Sequence, residues 1–246
     1  IDFWNNARRE LDAIKPVFML AEWEARDLHA KAFDMTYAWT WFQAVLAIAQ
    51  GKSDLSELLV YYAWNEKAYP HDGLRMLFVS NHDINTWEGT EFELFGPARQ
   101  AAIVLSFVSE GFPLIYNGQE AGNPRRLAFF ERDPLEWQDH PQGELYRRLI
   151  ALKKANPALW NGAWGGRMLR VDNSAPNQVL SFLRQQGDNR IFAVFNFSDQ
   201  PQTACFGAGP QQGRYVEYFS SQPGKFGNHT ELDLQPWEYR VYRATG

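Results

Sequence analysis

Acidic, amide and imidazole side chains follow short apolar segments at several points of the sequence. VFMLA is followed by Glu22, Trp23 and Glu24, and MLFVS by Asn81, His82 and Asp83. FPLIY is followed by Asn117, Gln119 and Glu120. The fourth segment, AFDM, contains Asp34 and leads to Tyr37. Burying charged side chains together at one rim is costly unless they are paired or used. Two carboxylates at one edge would suit hydrolysis of a glycosidic bond, in which one donates a proton and another supports positive charge on the sugar.

The elements between these segments predict how the polar residues come together. Helical patterns occupy residues 37–50, 55–69, 97–109 and 143–155. Short apolar strands that alternate with helices are typical of parallel βα units, which predicts an α/β fold. Because the carboxyl ends of parallel strands meet at one edge, the polar side chains should converge there.

The start of the sequence predicts one more helix. The apolar residues that mark its face are Phe3, Trp4, Ala7, Leu11 and Ile14, and Pro16 helps to end it. This spacing is the helical period of three to four residues.

Glu22 is the better candidate for a proton donor among the acidic residues. It comes directly after five mostly apolar residues and stands beside Trp23, so we expect a desolvated acid. Glu24 lies two positions further along, where a solvated or structural role is expected. Asp83 is expected to be the charged partner, with His82 able to donate hydrogen bonds to it or to a sugar hydroxyl.

The character of the sequence changes after Asn156 and Pro157. Gly, Pro, Asn and Gln there separate β-rich segments at residues 178–184, 190–197, 214–219 and 237–242. Short strands with frequent turn residues predict an antiparallel β-sandwich. We therefore expect two domains, one over residues 1–158 and the other over residues 159–246.

Composition excludes several classes of function. The 246 residues carry a net charge of −5, and no basic run suits nucleic acid. The single Cys205 excludes an internal disulfide framework, and the longest apolar stretches are too short for a membrane span. Ten Trp residues slightly favour carbohydrate, since sugar rings stack on aromatic side chains.

Three motifs together resemble one known family. FMLAEWE, FVSNHDIN and GFPLIYNGQEAG resemble three consecutive motifs of the α-amylase family, the family thirteen glycoside hydrolases, and FDMTYAW and FFERDPLEW also fit. The resemblance implies strands five to eight of a (β/α)8 TIM barrel followed by an antiparallel β-sandwich domain. It also implies a retaining enzyme for α-glucosidic bonds in starch-like oligosaccharides and polysaccharides.

The resemblance assigns roles to individual residues. It makes Glu22 the general acid/base and Asp83 the carboxylate that holds sugar hydroxyls and stabilises the transition state. His82 and Asn81 are expected to bind substrate, with Asn81 also orienting the turn. The candidate stacking residues, for each of which core packing is an equal alternative, are Trp23, Tyr37 and Trp87. For Gln119 and Glu120, support of the rim is favoured over substrate contact.

The nucleophile that the family uses is an aspartate in a GFRxD-like motif, and this sequence has no such motif. We therefore expect that the first four barrel strands lie upstream and that this chain alone is not an efficient hydrolase. A missing N-terminal half-barrel, or self-association through the open side, should cover the exposed interior. No cofactor is predicted; calcium occurs in some amylases but has no support here. Localisation stays open, and a periplasmic or secreted parent protein is compatible with the sequence.

Two alternatives differ in class. One is a non-catalytic carbohydrate-binding or assembly protein with an amylase-like fold. The other is a metal-dependent phosphohydrolase that uses His71, His82 and Asp83, although such sites stand on helices and MLFVSNHD predicts a strand and a turn. The sequence leaves hydrolysis and glycosyl transfer unresolved, because both proceed through the same intermediate.

Overall fold

The N-terminal region contains the predicted parallel sheet. A computed structural model describes residues 1–245. The four parallel strands are β1 (Leu20–Ala21), β2 (Met35–Tyr37), β3 (Leu74–Leu77) and β4 (Phe112–Pro113), and they lie in chain order across the sheet. The register pairs Ala21 with Thr36 and Tyr37 with Met76. All four overlap the predicted apolar segments, although β1 and β4 are shorter and β2 is shifted towards Tyr37.

The N-terminal region also contains six α-helices. They are α1 (Asp2–Ile14), α2 (Trp39–Ala49), α3 (Leu55–Ala68), α4 (Glu91–Phe95), α5 (Arg99–Val108) and α6 (Pro141–Ala155). The five predicted helices are confirmed to within a few residues, whereas the short α4 was not predicted. It begins with a capping box, in which Thr90 accepts from the Glu93 amide and the Glu93 side chain accepts from the Thr90 amide.

The first helix is held to the sheet mainly by polar contacts. Arg8 Nη1 lies 2.9 Å from Asp34 Oδ2, and the same carboxylate oxygen accepts a hydrogen bond from the Met19 amide at 2.7 Å. The apolar face of α1 remains exposed, as shown by Phe3 at 72% and Ile14 at 82%. The helix was therefore predicted correctly, but within residues 1–245 its apolar face is largely uncovered, and Trp4 packs edge-on against Phe33 with ring centroids 5.3 Å apart.

The C-terminal region is antiparallel, as predicted. Its strands are β5 (Met168–Arg170), β6 (Val179–Gln186), β7 (Asn189–Asn196), β8 (Gln202–Phe206), β9 (Gly213–Glu217), β10 (Pro223–Phe226), β11 (Thr230–Leu234) and β12 (Tyr239–Ala244). Six form a sheet in the order β10-β9-β12-β7-β6-β5, and β11 pairs with β8 in a second, two-stranded sheet. Sequence patterns missed β5, β8, β10 and β11, which are short and largely half-exposed.

The central strands of the larger sheet are buried on both faces. Along β7, Phe192 and Val194 pack in the core shared with β8 and β11, whereas Ala193 and Phe195 pack in the core shared with the helices. This alternation is the two-residue period of a strand. It explains why β6 and β7 are continuous apolar segments although they belong to an antiparallel sheet.

Arg184 joins the two regions from its position on β6. Its side chain is 1% exposed, and its guanidinium donates to Gly166 O at 2.9 Å, Ser109 O at 2.8 Å and Leu159 O at 3.2 Å. Burial lowers its pKa to about 10, which still leaves the group charged at neutral pH. Backbone carbonyls near the end of α5 and after α6 therefore hold a buried cation supplied by the β region.

Among residues 1–245, none of the helices has the length and apolar character that crossing a membrane requires.

Candidate active site

The ends of β1 and β3 bring Glu22, His82 and Asp83 together. His82 Nε2 lies 3.0 Å from Glu22 Oε1 and 3.8 Å from Asp83 Oδ1. One side-chain ligand atom from each of the three residues lies within 4.8 Å of the others. The predicted convergence of these residues is therefore present, with the imidazole in contact with both carboxylates.

The three side chains are open to solvent. Glu22 is 52% exposed, His82 41% and Asp83 40%. The expectation of a desolvated Glu22 is thus wrong for residues 1–245, because the neighbouring apolar residues Phe18 and Leu20 are themselves exposed and do not enclose its carboxylate. Within this described range, His82 is the only basic side chain at ion-pair distance from either carboxylate.

Asn81 builds the turn that carries His82 and Asp83. Its Oδ1 accepts from the Ile84 amide at 2.8 Å, and its carbonyl accepts from the Asn85 amide at 3.0 Å. A π-helical turn follows over Ile84–Glu88. Asn81 is fully buried, so the expected role in orienting the turn is present, whereas its side chain cannot reach a ligand at the surface in this conformation.

Tyr37 lies at the end of β2, between the strands that carry the two carboxylates. It is 8% exposed and packs on Trp39 and Phe78, with ring centroids 5.6 Å away in both cases. Burial, together with the negative charges of Glu22 and Asp83, raises the pKa of its hydroxyl. Of the two alternatives for Tyr37, the structure favours core packing, while Trp23 and Trp87 are 69% and 59% exposed.

Glu24 fixes the loop that carries Glu22. Its Oε2 accepts from the Thr40 amide at 2.7 Å and from the Thr40 hydroxyl at 2.9 Å, and its Oε1 pairs with Arg75. Arg75 is 3% exposed, and its guanidinium lies 3.8 Å from the centre of the Tyr69 ring. Glu24 therefore has the structural role expected of it, but its partner Arg75 was missed because an arginine inside a strand gives no local signal of its contacts.

Glu91 is a buried carboxylate outside the group formed by Glu22, His82 and Asp83. This residue is 3% exposed, and its two oxygens accept from Nε2 of Gln119 and Nε2 of Gln142. Burial raises the pKa of Glu91. Gln119 thus contacts a structural carboxylate, in agreement with the expected rim support, while Glu120 is half-buried.

Two exposed aromatic residues beside the site were missed. Phe129 and Phe130 are 39% and 82% exposed. The Phe129 ring centroid is 5.8 Å from that of His82 and 5.4 Å from that of Trp87. The adjacent Phe residues in FFERDPLEW were the only available signal, since the contacts join segments more than forty positions apart.

Glu22, His82 and Asp83 could offer one ligand atom each to a divalent cation. Calcium prefers six to eight oxygen ligands, and a set of two carboxylates and an imidazole suits it poorly. The alternative set with His71 is contradicted, because His71 precedes β3 and His82 follows it. The strand places these two residues at opposite ends of the sheet.

Comparison with known proteins agrees with the motifs. Residues 171–243 match the family described as Alpha amylase, C-terminal all-beta domain. Over 186 residues the chain is 26% identical to Alpha-amylase 2 of Dictyoglomus thermophilum, an alignment that covers 69% of this chain and 31% of that protein. The chain is thus similar to α-amylases, and residues 171–243 match the C-terminal domain of that family.

Other curated relatives also match over only part of their length. A 1,4-alpha-glucan branching enzyme of Cutibacterium acnes is 32% identical over 142 residues, which is 51% of this chain and 22% of the enzyme. The chain thus spans about a third or less of these curated relatives.

Solved α-amylase structures share the fold. A maltogenic alpha-amylase from Thermotoga neapolitana superposes with a TM-score of 0.85 at 21% identity, over 99% of this chain and 58% of that one. The alpha-amylase of Geobacillus thermoleovorans, solved with acarbose, gives a TM-score of 0.80 at 19% identity, over 98% and 56% respectively. At this level of identity the agreement concerns the fold.

Proposed function

We propose that Glu22, His82 and Asp83 form part of the active site of a retaining glycoside hydrolase that acts on α-glucosidic bonds of starch-like oligosaccharides and polysaccharides. The observation that carries the proposal is the convergence of two exposed carboxylates on one imidazole at the carboxyl ends of β1 and β3. Ligand sites of parallel α/β folds occupy this edge. The acarbose complex of the Geobacillus relative supports a sugar ligand.

Each side chain has a role that its position supports. Glu22 is the proton donor and later the base, since it directly follows β1 at the edge where ligands of parallel sheets bind. Asp83 holds sugar hydroxyls and stabilises positive charge on the sugar ring. His82, 3.0 Å from Glu22, donates to either carboxylate or to a hydroxyl. Bound sugar would displace water from this open edge and desolvate Glu22. The sugar would thereby supply the low-polarity surroundings that the described residues do not provide.

The same proposal places the chain in a larger protein. The four parallel strands are strands five to eight of a (β/α)8 barrel, residues 1–158 form this part, and residues 159–246 form the β-sandwich domain. β1 and β4 are the edges of the four-stranded sheet, and Phe18 near β1 is 61% exposed. An upstream half-barrel that carries the nucleophile would cover these edges, and without it the chain would not hydrolyse glucan efficiently.

Active-site substitutions test this function. The assay uses the full-length natural protein that contains this chain. In that protein, Glu22→Gln and Asp83→Asn should each lower kcat on a soluble α-glucan by about 10²-fold or more. The control is Glu88→Gln, an exposed carboxylate on the π-helical turn, which should leave kcat unchanged. Near-normal activity in either active-site variant would refute its assigned role. Sugar binding without hydrolysis by the unsubstituted protein would favour a non-catalytic carbohydrate-binding or assembly protein.

A further inference from the structure

A tripeptide of the form Asn-X-Ser/Thr occurs twice in the β region. The two occurrences are Asn196-Phe197-Ser198 and Asn228-His229-Thr230. This tripeptide is the acceptor motif for N-linked glycosylation when X is not proline and the asparagine lies at the surface. The surroundings of each asparagine therefore decide which of the two can accept an oligosaccharide.

Asn196, at the end of β7, is enclosed by the protein. Its side chain is fully buried, and its Nδ2 donates to Gln200 O at 2.7 Å and to Gln235 O at 2.9 Å. Its Oδ1 accepts from the Ser198 hydroxyl at 2.7 Å. The fold thus uses both polar side chains of this motif, and the nitrogen that would be modified cannot be reached from solvent.

Asn228 has the opposite surroundings. It lies in the turn between β10 and β11 and is exposed. Its Oδ1 accepts from Gln212 Nε2 at 2.5 Å, whereas its Nδ2 has no hydrogen-bond partner among residues 1–245. This contact holds the amide through its oxygen and leaves the nitrogen, which is the atom that becomes glycosylated, free to react.

Thr230 completes the exposed motif from the first position of β11. Its Oγ1 accepts from the Gly227 amide at 3.0 Å, so the hydroxyl is held at the turn while its proton remains free to donate. His229, the middle residue, is exposed, and Thr230 is partly exposed. A modifying enzyme can therefore reach all three residues of this motif.

We propose that Asn228 is an acceptor site for an N-linked oligosaccharide and that Asn196 is not. The donor is an oligosaccharide carried on a lipid pyrophosphate, and an oligosaccharyltransferase catalyses the transfer. Nδ2 of Asn228 forms a bond to the anomeric carbon as the bond from that carbon to the pyrophosphate oxygen breaks. The lipid pyrophosphate leaves with the bonding electrons, and one Nδ2 proton passes to a base of the transferase. The proposal is independent of the function assigned to Glu22 and Asp83.

An oligosaccharide at Asn228 would stand beside two strands at sheet edges. β10 is the last strand on one side of the six-stranded sheet, and β11 belongs to the two-stranded sheet with β8. Free strand edges promote association between chains, and a bulky solvated oligosaccharide hinders it. The modified protein should therefore aggregate more slowly on heating than the unmodified protein.

Glycosylation in vitro tests the proposal. The folded, full-length natural protein that contains this chain is incubated with a single-subunit oligosaccharyltransferase and a lipid-linked oligosaccharide, and its peptides are mapped by mass spectrometry. The peptide with Asn228 should gain the mass of one oligosaccharide, whereas the peptide with Asn196 should stay unmodified. Short synthetic peptides that span each tripeptide should both be modified, because only the fold distinguishes the two motifs.

Variants of the exposed motif are the controls. Asn228→Gln and Thr230→Val should abolish the modification of this peptide, whereas Thr230→Ser keeps the hydroxyl and should retain it. An unmodified Asn228 in the folded protein would overturn the proposal, and so would equal modification of Asn196 and Asn228. Light scattering on heating compares the modified protein with Asn228→Gln carried through the same reaction, and equal aggregation rates would refute the shielding of the strand edges.

Discussion

The carboxylates at the rim and the carboxylates just below it are held in opposite ways. Glu22 and Asp83 are about half exposed, and among residues 1–245 His82 is the only basic side chain that contacts them. Glu24 pairs with the buried Arg75, and Glu91 is buried between two glutamine amides. Both sets follow strands of the same sheet. Glu24 and Glu91 are bound by other side chains of the protein, whereas Glu22 and Asp83 remain available to a ligand.

This difference separates carboxylates that stabilise the fold from carboxylates that are proposed to bind and process the substrate. A charge removed from water must be compensated by the protein itself, so substitution of a partner should cost stability. A charge left in water contributes little to folding and should be replaceable without unfolding. Stability measurements on the two sets therefore test the assignment independently of any assay of activity.

The largest expected effect is at the buried ion pair. Arg75→Met leaves Glu24 half-enclosed without its cation and should lower the free energy of unfolding by about 3 kcal/mol. Glu22→Gln, two positions from Glu24, should change it by less than about 0.5 kcal/mol. Chemical denaturation of both variants measures these values.

A double variant sharpens this result. Arg75→Met combined with Glu24→Gln should recover part of the loss, because no uncompensated charge then remains. Equal destabilisation by Glu22→Gln and Arg75→Met would contradict the claim that only the carboxylates paired inside the protein stabilise the fold.

A smaller effect is expected at Glu91. Glu91→Ala leaves the Nε2 groups of Gln119 and Gln142 without their carboxylate acceptor and should destabilise the protein by about 2 kcal/mol. Glu88→Ala, which removes an exposed carboxylate a few residues earlier, is the control and should be nearly neutral. A shift of melting temperature in Glu88→Ala as large as that in Glu91→Ala would contradict the assignment.

The smallest effect concerns pH and separates two histidines. Burial, with a contribution from Arg75, lowers the pKa of His29 to about 4, although Asp34 acts in the opposite direction. Between pH 6.5 and pH 4 the unfolded chain therefore binds more protons at this residue than the folded chain, and stability should fall as pH falls. The slope should be less than about 1 kcal/mol per pH unit, since His29 is only partly enclosed.

His29→Gln should remove this part of the pH dependence, whereas His71→Gln, at an exposed position, should leave it unchanged. Thermal unfolding of the three proteins across this pH range measures the difference. An unchanged slope in His29→Gln would show that another group is responsible.

Sequence patterns identified the elements better than the contacts between them. The positions of Glu22 and Asp83 after two strands were sufficient to predict their convergence, because parallel strands impose it. Asn81 looks like a surface residue in sequence, yet the tight turn after β3 buries it. For Tyr37 the sequence left sugar stacking and core packing open, and its contact with Phe78 favours core packing. The amphipathic pattern of α1 predicted a helix but not whether its apolar face has a partner.

Long-range contacts account for what could not be predicted. Glu91 meets Gln142 across 51 positions, and Arg75 meets Glu24 across the same separation. Phe129 approaches His82 only because Asn85 and Thr86 bind the Leu127 backbone. No local spacing encodes such pairs, since each depends on how separate loops lie over the sheet.

The position of Arg184 has a consequence for how such proteins diversify. Its guanidinium comes from one region, and most of the carbonyls that receive it come from the other and from the segment between them. If the β region were exchanged between homologous genes, the buried carbonyls would keep their hydrogen bonds only under two conditions. The incoming segment would have to supply an arginine at this position, and its backbone around Leu159 would have to follow the same path. A recombination point placed directly after α6 would separate the cation from the Ser109 carbonyl, and one placed directly before β6 would also separate it from those of Leu159 and Gly166.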